Sequence, residues 1–186
     1  MKMPGTPSDA GLPRRLNLKE FAQRGRELQG DVAVGALPRL AASLHGEASR
    51  LAELRVHWEL RGMLRNGASG QAQLLVRLHV RGELPMLCQR CLQTSWHRLD
   101  DAVTLRLVDQ EPELDGEELE SDEEAFCALH PVDVAELVED QLILALPLVP
   151  MHENCPQELP ARAGPRELEP APASPFAVLA GLRKPN

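Results

Sequence analysis

Two stretches of alternating apolar and polar residues limit most strongly what this 186-residue chain can fold into. The first has an apolar residue at every second position: Leu54, Val56, Trp58 and Leu60. The second repeats the pattern: Leu74, Val76, Leu78 and Val80. Successive side chains of a strand point to opposite faces, so each stretch predicts a strand with one apolar face and one wet face. The turn-forming pairs Asn66-Gly67 and Ser69-Gly70 lie between them, which predicts an antiparallel hairpin.

Capping boxes predict helices before and after the strands. The first opens at Asn17 a short helix that we expect to end at Gly30. The second opens at Asp133 the helix VAELVEDQLILAL, which Pro147 must end. Because the second half of this helix is apolar on all sides, we expect it to be buried across the sheet.

Further strands complete the predicted fold. Alternation over 32–36 predicts a strand that stops at Pro38, and another strand begins near Trp96 and continues through 103–107. We therefore predict an α+β fold, in which an antiparallel, partly closed β-sheet is crossed by a buried helix over 134–146 near the C-terminal side. Short helices flank this core.

Composition divides the chain into one domain and looser ends. Residues 1–15 are rich in Pro, Gly and small residues, and we interpret them as a disordered leader. The domain spans 16–155 and includes an acidic loop at 109–124 that is too highly charged to pack. Six prolines at 156–175 predict a linker, and 176–184 predict a short C-terminal helix.

The formal net charge of −8 is divided unevenly along the chain. Residues 1–106 hold sixteen Lys and Arg against ten Asp and Glu, whereas 107–161 hold sixteen Asp and Glu and neither Lys nor Arg. One interpretation is that the acidic stretch only keeps the protein in solution. The other is a bipolar surface that meets RNA on one side and a basic protein on the other.

Several classes of protein are excluded by composition and motifs. No apolar run is long enough to cross a bilayer and the N-terminal segment lacks a secretory hydrophobic block, so we expect a cytoplasmic protein without a membrane partner. With three Phe, two Trp and no Tyr, the chain cannot build a base-stacking surface of several aromatic residues. It contains no Walker loop, dinucleotide fingerprint, nucleophile elbow or HExxH motif, and we expect no enzymatic activity.

Two Cys/His pairs predict a metal site. Cys88 and Cys91 form a CxxC at the end of a predicted strand, and His152 and Cys155 have the same spacing after the second helix. Together they would close a four-ligand structural zinc site if the fold joins them. Two alternatives stay open: a redox dithiol, although no βαβ context is visible, and ordinary packing of cysteines in a reducing compartment. Packing and exposure explain Cys127 and His130 better than metal binding does.

Arginines accompany the predicted strands and the CxxC turn. The candidates for RNA contact are Arg55, Arg61, Arg77, Arg81, Arg90 and Arg98. Guanidinium groups bind phosphate in a bidentate manner, so arginines gathered on one face of the sheet would form a patch for the RNA backbone. The alternative is that they only cover the wet face of a half-exposed sheet.

The order of these features resembles the YceD family of large-subunit ribosomal RNA accumulation factors. The motifs that carry the resemblance are CQRCL at 88–92, VDVAELVEDQLILALPLVPMHENC at 132–155 and SPFAVLAGLRK near the end. The resemblance implies a ribosome biogenesis factor that supports synthesis, processing or stability of 23S rRNA, without a known catalytic activity. It also implies the second half of a zinc knuckle at His152 and Cys155, with one cysteine where relatives carry more.

Two other functions stand beside the one that the resemblance implies. The acidic stretch fits a binding module or chaperone for a basic ribosomal protein. A zinc-dependent hydrolase is a third interpretation, but four protein ligands would leave the metal no position for a catalytic water.

Overall fold

Nine helices and strands make up the part of the chain that the computed structural model describes, residues 12–66, 72–110 and 123–156. They are α1 (Leu18–Gln23), β1 (Glu27–Ala33), α2 (Pro38–Ser43), α3 (Ala48–Glu53), β2 (Arg55–Asn66), β3 (Ala72–Leu87), β4 (Thr94–Val108), β5 (Glu124–Cys127) and α4 (Val134–Ala145), with a 3-10 turn over Val34–Ala36. None of these helices is long and apolar enough to span a membrane.

The strands form one five-stranded sheet in the order of the sequence. β1 to β4 pair antiparallel, and the predicted hairpin of β2 and β3 is paired as far as Asn66 opposite Ala72. β5 instead lies parallel to β4, with Glu124 opposite Leu105. The prediction of an antiparallel sheet is therefore confirmed for β1 to β4 but not for β5, and the prediction that the sheet is partly closed is wrong, because it is open. A parallel neighbour needs a long connection, and residues 109–123 provide one.

The apolar face of the sheet carries the core. Leu60 of β2, Leu78 of β3 and Leu142 of α4 are fully buried in one cluster. α1 lies so close to β2 that a Cβ atom at Gly62 would stand 2.7 Å from the Cα atom of Ala22. Only glycine permits this approach of helix and strand.

The predicted N-cap at Asn17 is confirmed, but the helix is shorter than predicted. The side chain of Asn17 accepts a hydrogen bond from the backbone N–H of Glu20 at 3.2 Å. α1 stops well before Gly30, because Gly25 adopts a left-handed φ of +54° and turns the chain into β1. The strand predicted over 32–36 is also misplaced, since β1 begins earlier and gives way to the 3-10 turn.

α4 begins as predicted but is not buried on all sides. The side chain of Asp133 accepts a hydrogen bond from the backbone N–H of Ala135 at 2.8 Å. Val138 and Leu142, four residues apart, are fully buried, whereas Leu144 is 76% exposed. The prediction of a buried helix is therefore confirmed only in part, because α4 packs on the sheet by one stripe and turns its other side outward.

We expect Leu142→Ala to lower the free energy of unfolding by about 2 to 5 kcal/mol, because truncation leaves a cavity in a closed core. Leu144→Ala is the matched control on the same helix and should change stability by less than about 0.5 kcal/mol. Urea denaturation followed by circular dichroism measures both. Equal losses for the two variants would contradict the orientation of α4.

Several predicted segments lie outside the described residues. These are the leader before residue 12, the centre of the acidic loop at 111–122, and the linker and C-terminal helix from residue 157 onward. The compact unit that contains the sheet ends at Glu153.

Candidate functional site

The turn between β3 and β4 holds the first pair of predicted ligands, Cys88 and Cys91. Two backbone hydrogen bonds of 2.9 Å close it, from the N–H of Leu92 to the carbonyl of Cys88 and from the N–H of Cys88 to the carbonyl of Gln93. Leu92 has a left-handed φ of +57°, which costs a leucine about 1 to 2 kcal/mol. A strained backbone of this kind persists where the surrounding structure determines it, and it is common at functional sites.

The segment after α4 brings His152 against this turn. The backbone N–H of Gln89 donates to the carbonyl of Pro150 at 2.9 Å. The guanidinium of Arg90 donates to the carbonyl of His152 at 2.7 Å and to that of Glu153 at 3.3 Å. These bonds join two segments about sixty residues apart, so the second ligand pair reaches the first through main-chain contacts.

The four predicted ligands come together. The ligand atoms of Cys88, Cys91, His152 and Cys155 all lie within 4.8 Å of one another, and the sulfur of Cys91 is 3.4 Å from Nδ1 of His152. Tetrahedral zinc with ligands at about 2.0 to 2.3 Å requires ligand atoms about 3.3 to 3.8 Å apart. A contraction of about 1 Å or less would therefore suffice to bind a metal ion.

Cys88 lies in surroundings that favour a thiolate. Its side chain is fully buried, which raises the pKa of the thiol, but hydrogen bonds from the backbone N–H groups of Cys91, His152 and Arg90 outweigh burial and lower this pKa to about 5. The N–H of His152 is 3.4 Å from the sulfur. Since the thiolate is the form that binds metal, Cys88 is a ligand ready at neutral pH.

The imidazole of His152 is oriented for coordination through Nδ1. Its Nε2 lies 3.0 Å from the carbonyl oxygen of Thr94, and a carbonyl can only accept, so Nε2 carries the proton. Nδ1 then has its lone pair directed toward the sulfur of Cys91. A backbone carbonyl that fixes the ring in this way is the usual outer partner of a metal-binding histidine.

The two alternatives for the cysteines fit the geometry less well. Low-pKa redox cysteines commonly lie at a helix N-terminus, whereas Cys88 and Cys91 lie in a strand-to-strand turn, and none of the four cysteines forms a disulfide. Ordinary packing explains the burial of Cys88 but not the convergence of His152 and Cys155. Cys127 lies apart, exposed, with its thiol 3.7 Å from the carbonyl of Asp109.

Five of the six candidate arginines lie on the face of the sheet opposite α1 and α4, which we call the open face: Arg55, Arg61, Arg77, Arg81 and Arg98. Arg90 does not belong to them, because it holds the metal-site segments together. The strand register places five carboxylates among these arginines: Glu27, Asp31, Glu59, Glu83 and Asp100. The open face is thus a mixed-charge surface rather than a continuous basic patch.

One cross-strand pair on the open face consists of two like charges. Arg61 and Arg77 stand directly opposite each other on β2 and β3, an unfavourable arrangement for like charges. Arg61 is neutralised by Glu27 at 2.8 Å and Glu59 at 3.3 Å. Arg77 forms no ion pair with any residue of the described ranges, and it lines a shallow depression of about 220 Å³ with Arg61, Glu59 and His79. Arg77 is therefore a candidate position on this face for an added anion.

A second group of charges on the open face is already paired. Nε2 of His79 and a carboxylate oxygen of Asp100 lie 2.6 Å apart. This hydrogen bond lowers the pKa of the Asp100 carboxyl against a smaller effect of burial, and Arg81 and Arg98 lower it further. These two arginines therefore balance a carboxylate of the sheet itself.

The sequence did not reveal the outer partners of the metal site. Thr94 and Pro150 act through their backbone carbonyls, which any residue type provides, so no sequence signal could have identified them. Arg90 could be singled out because it lies inside the CxxC. That position is explained by its hydrogen bonds to the carbonyls of His152 and Glu153 as well as by contact with RNA.

Comparison with known proteins identifies the family. A family model described as large ribosomal RNA subunit accumulation protein YceD matches residues 76–183. A protein of that name from Haemophilus influenzae is 32% identical over 178 residues, which cover 93% of this chain and 97% of the relative. No solved structure matches the chain. The chain therefore belongs to the YceD family, as the CQRC and VEDQLILALPLVP motifs indicated.

Proposed function

We propose that this protein supports the accumulation of the 23S rRNA of the large ribosomal subunit, as a cytoplasmic accessory factor without catalytic activity. The observation that carries the proposal is family membership over nearly the whole chain, together with the name of the relative, large ribosomal RNA subunit accumulation protein. The fold supports it by placing five of the candidate arginines on the face of the sheet opposite α1 and α4.

In this proposal Cys88, Cys91, His152 and Cys155 hold one structural zinc ion. Their convergence within 4.8 Å and the thiolate character of Cys88 support the assignment. Four protein ligands complete a tetrahedral shell, so the metal would stabilise the fold and would offer no position for an activated water. A structural zinc agrees with a protein that acts by binding.

The proposed contact with RNA is made through phosphate groups at Arg61 and Arg77. A phosphate bound there would give Arg77 the anionic partner that it otherwise lacks among the described residues. Arg55, Arg81 and Arg98 extend this contact along the same face. Because phosphate contacts do not read bases, they would position the protein on RNA without sequence preference.

We expect Arg77→Ala to weaken binding of a 23S rRNA fragment and to reduce the slope of log K against log salt by about 1, the effect of one lost phosphate contact. Arg24→Ala is the control, because it removes the same charge from the residue that follows α1, which is paired with Glu20 at 2.6 Å away from the open face. Fluorescence anisotropy over a series of KCl concentrations measures both slopes. Identical slopes for the wild type and Arg77→Ala would exclude Arg77 from the contact.

Crosslinking in cells tests the function itself. Ultraviolet crosslinking and sequencing of bound RNA should recover 23S rRNA or its precursor, and deletion should lower the ratio of 23S to 16S rRNA. The alternative, a chaperone for a basic ribosomal protein, depends on the acidic stretch 109–124, most of which lies outside the described residues. Recovery of one basic protein without RNA would overturn the proposal in favour of that alternative.

A further inference from the structure

A cavity of about 540 Å³ lies beside the metal site, where the start of α3 faces the adjoining ends of β3 and β4. Its lining includes His45, Glu47, Arg50, Pro85, Thr94 and Trp96. The volume is within the range of about 300 to 1,000 Å³ that small-molecule pockets occupy. None of the functions considered above uses this cavity.

The wall of the cavity contains an exposed indole. Trp96 is 54% exposed, whereas the other tryptophan, Trp58, is 3% exposed in the core. Tryptophan is a highly buried residue on average, so an indole left half in water beside a cavity offers a stacking surface to a ligand. In the strand register Trp96 stands opposite Pro85, another residue of the wall.

Polar groups surround the indole and are held in place. Nδ1 of His45 lies 2.8 Å from the hydroxyl of Thr94, and the backbone N–H of His45 donates to the carbonyl of Pro85 at 2.9 Å. The carbonyl of Thr94 also accepts the hydrogen bond from His152. Thr94 therefore contacts both His152 of the candidate metal site and His45 of the cavity wall. These contacts fix the wall next to the indole.

The charges at the rim nearly cancel. Nε of Arg50 pairs with Glu47 at 3.3 Å, and both side chains are largely exposed. A rim with one cation and one anion does not select a strongly charged ligand, but a guanidinium plane and an indole plane both stack on flat π-systems. The cavity therefore favours a flat, polar-edged, uncharged ring whose edges can bond to His45 and Thr94.

We infer that this cavity binds one unpaired nucleobase of RNA, stacked on Trp96 and bounded by Arg50. The inference rests on the proposed function, which supplies RNA as the ligand. A composition with few aromatic residues cannot form a platform for several bases, but one base needs one aromatic plane. The open face would then bind the RNA backbone. The cavity would favour an RNA that has an unpaired base, because such a base can leave the base stack and enter the cavity.

Tryptophan fluorescence provides a direct test on the full chain. The chain has two tryptophans and no tyrosine, and Trp58 is shielded in the core, so quenching by a ligand reports on Trp96. We expect single-stranded rA5 and rU5 to quench the emission saturably, and a fully paired RNA hairpin closed by a compact tetraloop to quench it much less. Trp96→Phe retains an aromatic plane, and Trp96→Ala removes it.

The affinity of dye-labelled rA5, measured by anisotropy, should fall roughly 5- to 150-fold in Trp96→Ala, the range for one lost base-stacking contact, and much less in Trp96→Phe. Thermal melting should match the wild type, which shows that the exposed side chain is not needed for folding. RNA binding that is salt-sensitive and weakened by Arg77→Ala, but unchanged by Trp96→Ala, would overturn the cavity assignment and leave the proposed function standing. Quenching by rA5 without crosslinks to 23S rRNA in cells would support base binding in the cavity and overturn the proposed function. A change in Trp96 emission with a basic peptide, and none with RNA, would overturn the assignment of RNA as the ligand.

Discussion

Replacing Cys88 by Ser is expected to reduce the zinc content of the protein from the proposed one ion per chain to less than about a tenth of that value, because a serine hydroxyl does not supply the thiolate that a zinc site needs. Cys88 is the fully buried ligand and accepts backbone hydrogen bonds from both halves of the site. Its loss should therefore also separate the turn after β3 from the segment after α4. Inductively coupled plasma mass spectrometry of protein purified without chelator measures the metal.

Hydrogen exchange should localise the effect of this substitution. Protection of the amides of Gln89 and His152, which bond across the site, should fall by at least about tenfold, whereas the amides of β2 should keep theirs. Cys127→Ser is the matched control, since Cys127 is exposed and lies outside the cluster. A wild-type protein with no bound zinc, or a Cys88→Ser protein that retains it, would return these cysteines to ordinary packing.

Local patterns in the sequence predicted the local parts of the fold. The β2–β3 hairpin follows from alternation and a turn signal within about thirty residues, and the N-caps predicted at Asn17 and Asp133 are confirmed. The parallel pairing of β5 could not be predicted, because a strand of four residues carries no mark of its partner or direction. The exposure of Leu144 depends on how much of α4 the sheet covers, which is a property of the tertiary packing.

In the candidate site, too, local patterns could be predicted from the sequence and long-range contacts could not. The spacing of Cys88, Cys91, His152 and Cys155 predicted a group of candidate ligands, and the fold brings their ligand atoms within 4.8 Å of one another. The sequence could not reveal what closes the gap of sixty residues, because the joining groups are backbone carbonyls and one arginine. It also could not show that carboxylates alternate with arginines across strands, because cross-strand neighbours depend on register.

A buried carboxylate joins α4 to α2. Glu139 is 4% exposed and lies beside the fully buried Val138 and Leu142 of the same helix. One oxygen accepts hydrogen bonds from the backbone N–H groups of Arg39 at 2.7 Å and Leu40 at 3.1 Å, and the other accepts from Nε of Arg39 at 2.9 Å. The residue before α2, Leu37, offers no side-chain cap, so Glu139 satisfies the first turn of α2 from across the core.

We expect Glu139→Ala to lower the free energy of unfolding by about 3 to 5 kcal/mol, because it leaves two backbone N–H groups of α2 and Nε of Arg39 without their acceptor. Asp140→Ala is the matched control: Asp140 is the next residue, bonds to the same guanidinium at 2.7 Å, and is half exposed. Its loss should cost less than about 1 kcal/mol. Guanidinium chloride denaturation, followed by the emission of the buried Trp58, measures both variants. If Glu139→Ala cost no more than Asp140→Ala, α2 would be held by the burial of Leu40 alone, and the carboxylate could not be its cap in solution.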